Sequence, residues 1–410
     1  MSPPPTTSTD DESQESTPYL ADSSHLSGEG WQVRQFLQPA TAVLLFCLLI
    51  GVAVHAVVRE QERLVVAGVD AGVLSWLYGL SLAFLGVVLL PGLVSAPERL
   101  IRVASRLRDR PAAVVSLGAV SFLVAAGSLF PFITSEAESR PILPLQPPVW
   151  GETSEIYLPG CQADIVDGVC HGTMRFPLGT NPRGQDLVTS TLLGLNTSLK
   201  VAVSATVIAA TLGIVVGVTA GYVGGRTDEL LMRYVDIQRS VPFFFVYILL
   251  LLVVGRGYPF LVLVFGLLSW GGISRTVRSE VVQRREDPYM QAVEISGAGT
   301  PRVIIRHLIP NVSNTVITGA VVLFAKFVLY ETSLSFLSLT NPVIPSLGNE
   351  LARATGMTSA DPFAAGQTSV PWDWFLHLHI VLVPASVVCL LLLSVSILGD
   401  SLRDALDPRT

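Results

Sequence analysis

Lys326 and Glu331 are the side chains most out of place in this sequence, a cation and an acid five residues apart within the apolar run 313–332. A charge held in hydrocarbon is costly unless it meets water, a partner, or the surface through its own stem. At 1.5 Å per residue, Lys326 stands about 20 Å along a helix that starts at residue 313. Two readings stay open for it: a stem reaching out towards the helix end near Glu331, or a position lining a polar passage. The chemistry in view is the passage of a solute, with Lys326 and Glu331 as its candidate path residues.

No arrangement for covalent work accompanies them. The sequence has no G-x-x-x-x-G-K-[ST] phosphate loop, no H-E-x-x-H, no G-x-S-x-G elbow and no Cys/His metal framework. An enzyme is therefore not expected, nor a cofactor or a bound metal, and any work must be powered by another chain. His377 and His379 stand beside Trp372 and Trp374 and read as an interfacial belt, since no third ligand matches them. Cys161 and Cys170 share a polar loop, where an oxidising compartment would permit a disulfide. Cys47 and Cys389 fall in apolar runs and read as small buried hydrophobes.

A second patterned group is the Arg-studded stretch 275–312. Pro288 interrupts an amphipathic helix and opens the short helix "PYMQAVEI"; "SGAG" ends it, with Gly297 and Gly299 where positive φ is cheap. Thr300 is placed to cap, and Pro301 to open, a second short helix that Pro310 is expected to stop. The product is a stiff protrusion between two apolar segments. A solvated amphipathic loop resting on lipid is the other physical reading.

The elements that must carry these groups follow from composition. Of 410 residues 50% are hydrophobic and 14% charged, with mean hydropathy +0.56, which describes an all-α polytopic membrane protein. Eight spans are expected at 37–58, 71–95, 111–133, 201–223, 240–255, 257–274, 313–332 and 376–398. Within the fourth, Ala209, Gly213, Gly217 and Gly221 put small residues on one face, where two helices can pack closely in this chain or against a partner.

Charge sets the orientation. With both termini in the cytoplasm, 17 of the 26 basic residues fall inside, 8 outside, and Lys326 within a span. The formal charge of −6 comes from residues 1–30, which hold Asp10, Asp11, Glu12, Glu15, Asp22 and Glu29 with no Lys or Arg. The expected organisation is a disordered acidic cytoplasmic tail (1–30), three amino-terminal spans (31–135), an external loop (134–195), a core of five spans (196–400) with the internal loop 275–312, and a cytoplasmic tail (400–410). A plasma-membrane location follows, with lipid as a partner and no role for nucleic acid.

Several stretches, taken in order, resemble one family: "FPLGTNPRGQDLVTSTLLGLNTSL", "GYVGGRTDELLMRYVDIQRSVP", "YMQAVEISGAGTPRVIIRHLIPN", "ETSLSFLSL" and "LGDSLRDALDPR". They are similar to permease subunits of binding-protein-dependent ATP-binding cassette importers, and more narrowly to the dipeptide/oligopeptide/nickel branch. The resemblance covers roughly 174–410 and implies a type I importer-like helix bundle, noncatalytic, for peptides or for nickel or another small solute. A secondary transporter or a nontransporting scaffold are the readings from other classes. The implied partners are a second permease subunit, two cytoplasmic ATPases and an external solute-binding protein. The resemblance places ATPase coupling on Tyr289, Gln291, Ala292, Val293, Gly297, Arg302, Arg306 and Pro310. Gln291 stands where the family usually has Glu, Val293 where it has Ala, and Gln185 where it has Arg; three amino-terminal spans replace the usual one.

Overall fold

The computed structural model describes residues 29–59, 63–66, 69–95, 97–134, 144–154, 158, 160–163, 165–295, 299–355 and 378–406. Most of the acidic tail, Gly297, Trp372, Trp374 and His377 lie outside these residues. Apolar runs without water must close their own backbone hydrogen bonds, and long helices result. Among the described residues seven helical stretches are long and apolar enough to cross a membrane: Pro39–Arg59, Val73–Gly92, Pro111–Ile133, Leu187–Val223, Tyr258–Arg285, Ile309–Phe336 and Leu378–Leu406. Gly225–Ser240 and Phe243–Val254 are together long and apolar enough for an eighth span or a re-entrant loop, and they are bent by 81° where they meet.

The amino-terminal element opens with α1 (Glu29–Arg59) and α2 (Val73–Ser95), joined through an antiparallel β1–β2 ribbon (Arg63–Val66 and Val69–Gly72). A short amphipathic α3 (Pro97–Arg108) then turns the chain into α4 (Pro111–Ile133). A small sheet follows, β3 (Glu152–Ser154), β4 (Ile165–Val166) and β5 (Val169–His171), in the order β3-β5-β4. Cys161 and Cys170 are joined there, their Cα atoms 5.8 Å apart.

At the centre stands α5 (Leu187–Val223), which begins 14 residues before the expected start at 201. Residues 187–200 are polar enough to escape a hydropathy reading, yet Asp186 caps them, its carboxylate accepting from the Thr189 N–H at 2.9 Å. Part of the expected external loop is thus helix. Around α5 pack α2, α4, α8 (Tyr258–Leu268), α9 (Gly271–Arg285) and α12 (Ile309–Phe336), with α13 (Leu347–Ala354) and α14 (Leu378–Leu406). Between α5 and α8 run α6 (Gly225–Ser240) and α7 (Phe243–Val254).

The amino-terminal element is docked by polar contacts as well as by packing. Asn196 donates to the Gly127 carbonyl at 2.8 Å, and Lys200 Nζ donates to Ser75 Oγ at 2.9 Å. A Cβ on Gly127 would fall 2.8 Å from a Leu199 methyl, so α4 and α5 touch closely there. Cys47 and Cys389, expected buried, are exposed on the bundle's outside, as suits a small apolar side chain turned to lipid.

The start of α1 and the end of α14 share one face of the bundle. The α1–α2 hairpin returns the chain to the side where α1 began, and α3, which follows, grips α14: Arg106 Nη1 donates to the Ala405 carbonyl at 3.0 Å and Arg110 Nη1 meets Asp404 Oδ2 at 2.5 Å. We term this side the terminal face and its counterpart the opposite face.

Candidate coupling loop and buried polar cluster

On the terminal face the loop grows directly out of two bundle helices. After a break at Ser269–Trp270, α9 carries on from α8, so the loop's first amphipathic stretch is the end of a span. Two pairs tie α9 to α6: Arg275 with Asp236, and Arg278 with Asp228. Asp228 and Asp236 are eight residues apart and therefore share a helix face. Arg285 adds a bond to the Tyr222 carbonyl at 3.0 Å.

The loop helix α10 spans Pro288–Ile295 and carries Tyr289, Gln291, Ala292 and Val293. Met290, Val303, Leu308 and Val312 are buried and give the loop its apolar centre. Above it the Tyr289 hydroxyl meets His307 Nδ1 at 2.7 Å, their rings edge to face with centroids 5.6 Å apart. This contact ties the two arms of the loop.

The returning arm departs from expectation. Thr300, read as a cap, is the first residue of α11 (Thr300–Val303), and the Val303 N–H bonds to the Gly299 carbonyl at 3.1 Å. Pro310, read as a stop, lies in the first turn of α12, and residues 300–336 are continuously helical. A π-helical turn over Ile304–Leu308 makes this possible, with the Ile309 N–H reaching back to the Ile304 carbonyl. Pro310 has no N–H to give to an i−4 carbonyl, and the widened turn takes up the ring and the missing bond. Arg302 falls in α11 and Arg306 in the π turn.

Further contacts join the loop's flanking helices. Thr315 Oγ1 on α12 donates to Glu280 Oε2 on α9 at 2.6 Å, and Arg284 reaches Glu280 Oε1 at 3.3 Å. On α5, Gly213, Gly217 and Gly221 lie against α9: an added Cβ would meet Ile273 at 2.7 Å, the Ser274 carbonyl oxygen at 2.6 Å and Val281 at 2.9 Å. Ala209 is buried on the same helix. The stripe of small residues therefore packs within this chain, and α5 backs the helix that feeds the loop.

Towards the opposite face, the expected pair separates. Lys326 is exposed on α12, its ammonium 5.2 Å from the Tyr330 ring centroid. Glu331 has no exposed surface, which corrects its reading as a path-lining group. Five residues on, it is turned some 140° from Lys326 around the helix, into the bundle. Ser198 Oγ donates to Glu331 Oε2 at 2.5 Å and Ser335 Oγ to Oε1 at 2.8 Å.

This carboxyl group opens a buried polar layer absent from the sequence reading. Tyr258 OH lies 3.4 Å from both Ser335 Oγ and Asn349 Nδ2. Asn349 Nδ2 also donates to the Asn341 and Ile344 carbonyls at 3.0 and 2.8 Å, fixing the turn before α13. Next to it Arg353 pairs with Glu350, both side chains almost wholly enclosed; Arg353 Nη2 donates to the Pro342 carbonyl at 2.6 Å and Asn181 Nδ2 to Glu350 Oε2 at 3.1 Å. Gly348 makes the closest approach, since a Cβ there would stand 2.1 Å from the Thr332 carbonyl oxygen. The i, i+3 spacing of Glu350 and Arg353 in "SLGNELARA" was the available signal.

Comparison with known proteins gives this architecture its place. Residues 213–410 match the family described as binding-protein-dependent transport system inner membrane component. The oligopeptide transport system permease protein OppC of Mycobacterium tuberculosis is 36% identical over 237 residues, 56% of this chain and 75% of the relative. OppC of Haemophilus influenzae is 33% identical over 231 residues, 56% of this chain and 70% of its own. The chain belongs to this family. It is a multi-pass membrane transport component and not an enzyme. A dipeptide permease, DppC of Lactococcus lactis, is 30% identical over 236 residues, 57% of this chain and 64% of that protein. The family match begins within α5, leaving α1–α4 outside it.

Proposed function

We propose that this chain forms one half of the translocation path of an ATP-driven importer for di- and oligopeptides. It pairs with a second permease subunit, takes its force from two cytoplasmic ATPases and receives solute from an external binding protein. Both termini are cytoplasmic in this reading, so the terminal face meets the ATPases and the opposite face meets the solute receptor. The amino-terminal spans 31–135 then hold an extra two-helix element beside the five-span core 196–400, with α5 reaching back into the expected external loop.

The observation that carries the reading is the loop on the terminal face. Its short helix α10 is held to the returning arm by the Tyr289–His307 contact, and that arm runs as one helix from Thr300 into α12. A stroke on α10 would therefore pass through that contact into a membrane-crossing helix. Tyr289, Gln291, Ala292, Val293, Gly297, Arg302, Arg306 and Pro310 are the proposed coupling residues, and Lys326 remains the proposed path residue. The relatives' names, which specify oligopeptide and dipeptide transport, favour peptides over nickel or other solutes.

Reconstituted vesicles with ATP inside and the receptor outside test this. The Gly297→Pro variant is expected to insert normally and retain ATP hydrolysis while peptide uptake falls at least about tenfold, because a rigid ring would misplace α10. Uptake at the unmodified rate would remove the loop from the coupling role. Failure of any ATPase to co-purify with the chain would remove the importer reading itself.

A further inference from the structure

A cavity of about 730 Å³ opens on the terminal face between α6, α9, α12 and α14. Four arginines line it, Arg239, Arg275, Arg284 and Arg403, with Glu280 the one acid among the lining residues. Two of the four are already neutralised: Arg275 pairs with Asp236, and Arg284 with Glu280 and Asp287. Arg239 and Arg403 are exposed and have no ion-pair partner among the described residues. Asn311 and Thr318 add polar groups to the same wall. The site therefore presents two uncompensated guanidinium groups to whatever enters it, a setting that suits carboxylates.

The same chain carries the complementary charge on the same face. Before α1 begins at Glu29, the sequence holds Asp10, Asp11, Glu12, Glu15 and Asp22 with no Lys or Arg. The grip of α3 on α14 puts the start of α1 on the terminal face, where Arg403 closes the cavity wall. The end-to-end distance expected for 28 residues from chain statistics is roughly 30 Å. Tethering at that length raises the local concentration of its carboxylates to the order of millimolar, enough to populate contacts too weak to form between separate molecules.

We infer that the acidic segment 1–28 docks in this cavity through Arg239 and Arg403 and so occupies the terminal-face mouth between α9, α12 and α14. The inference rests on the charges and on their shared face, and it stands apart from the peptide and coupling readings. It gives the segment a regulatory role, since a solute or subunit needing the same arginines must first displace it.

Arginine footprinting with phenylglyoxal, mapped by mass spectrometry on the full chain with its co-purifying subunits in phosphatidylcholine nanodiscs, tests the proposal. In low salt, Arg239 and Arg403 are expected to react about tenfold more slowly than in a variant carrying Asp10→Asn, Asp11→Asn, Glu12→Gln, Glu15→Gln and Asp22→Asn, the protection a tethered ligand at millimolar effective concentration gives when its dissociation constant is about 0.1 mM. The difference should vanish near 1 M salt, where charges are screened beyond about 3 Å. Equal rates in the two chains would overturn the proposal. So would protection that appears only after phosphatidylglycerol is added to the discs, which would assign the cavity to an anionic headgroup. As a second reading, Arg239→Gln with Arg403→Gln should speed cleavage at Glu12 and Glu15 by a glutamate-specific protease; an unchanged cleavage rate counts against docking.

Discussion

The two faces of the bundle handle charge in opposite ways. On the opposite face, Glu331, Glu350 and Arg353 are enclosed and each is held by several short bonds. On the terminal face, Arg275–Asp236 and Arg233–Glu229 stay substantially exposed, and Arg278–Asp228 is only partly covered. A buried pair is costly to form and more costly to break singly, so it fixes one arrangement. An exposed pair contributes little, so helices joined by such pairs can shift at small cost. The contrast predicts a rigid layer where α5, α12 and α13 meet and an adjustable one around the loop.

Removing half of the enclosed pair should have the largest effect. Arg353→Met leaves Glu350 buried without its cation and is expected to cost about 3–5 kcal/mol in thermal unfolding of the purified chain. Adding Glu350→Gln to it should recover most of that loss. Should Arg353→Met alone melt like the unmodified chain, the rigid-layer view fails.

Glu331→Leu comes next, since it strips the acceptor from Ser198 and Ser335 and should cost about 1–3 kcal/mol, with Glu331→Gln milder because its amide oxygen still accepts. Equal melting of the two variants would mean that the bonds to those hydroxyls contribute nothing. Smaller again, Arg278→Gln on the terminal face should change stability by less than about 1 kcal/mol. A larger loss there would erase the distinction between the faces. Lys326→Met should leave the melting temperature where it is and act on peptide uptake alone; unchanged uptake would take Lys326 off the proposed path.

Much of this was legible in the residues, and the gaps have physical causes. The long apolar runs announced the spans because hydrocarbon leaves the backbone few alternatives. Pro288 marked the start of α10 correctly, since its ring suits a first turn. The same logic misjudged Pro310, where a π turn absorbs the ring, and no local pattern signals such a turn. The start of α5 was hidden because residues 187–200 are buried by other protein elements and not by lipid, so hydropathy does not report them. Glu331 was misplaced for a related reason: its depth along the helix could be counted, but the side to which it turns depended on helices whose packing the sequence does not reveal.

α5 is longer than a hydrocarbon layer is thick. Its 37 residues measure about 55 Å, against a hydrocarbon thickness of about 30 Å. Even inclined by about 40°, such a rod overshoots by roughly a dozen ångströms. At its amino-terminal end α13 packs against it, with Gly194 close to Ser346 and Leu347, so that end is roofed by protein and not by lipid.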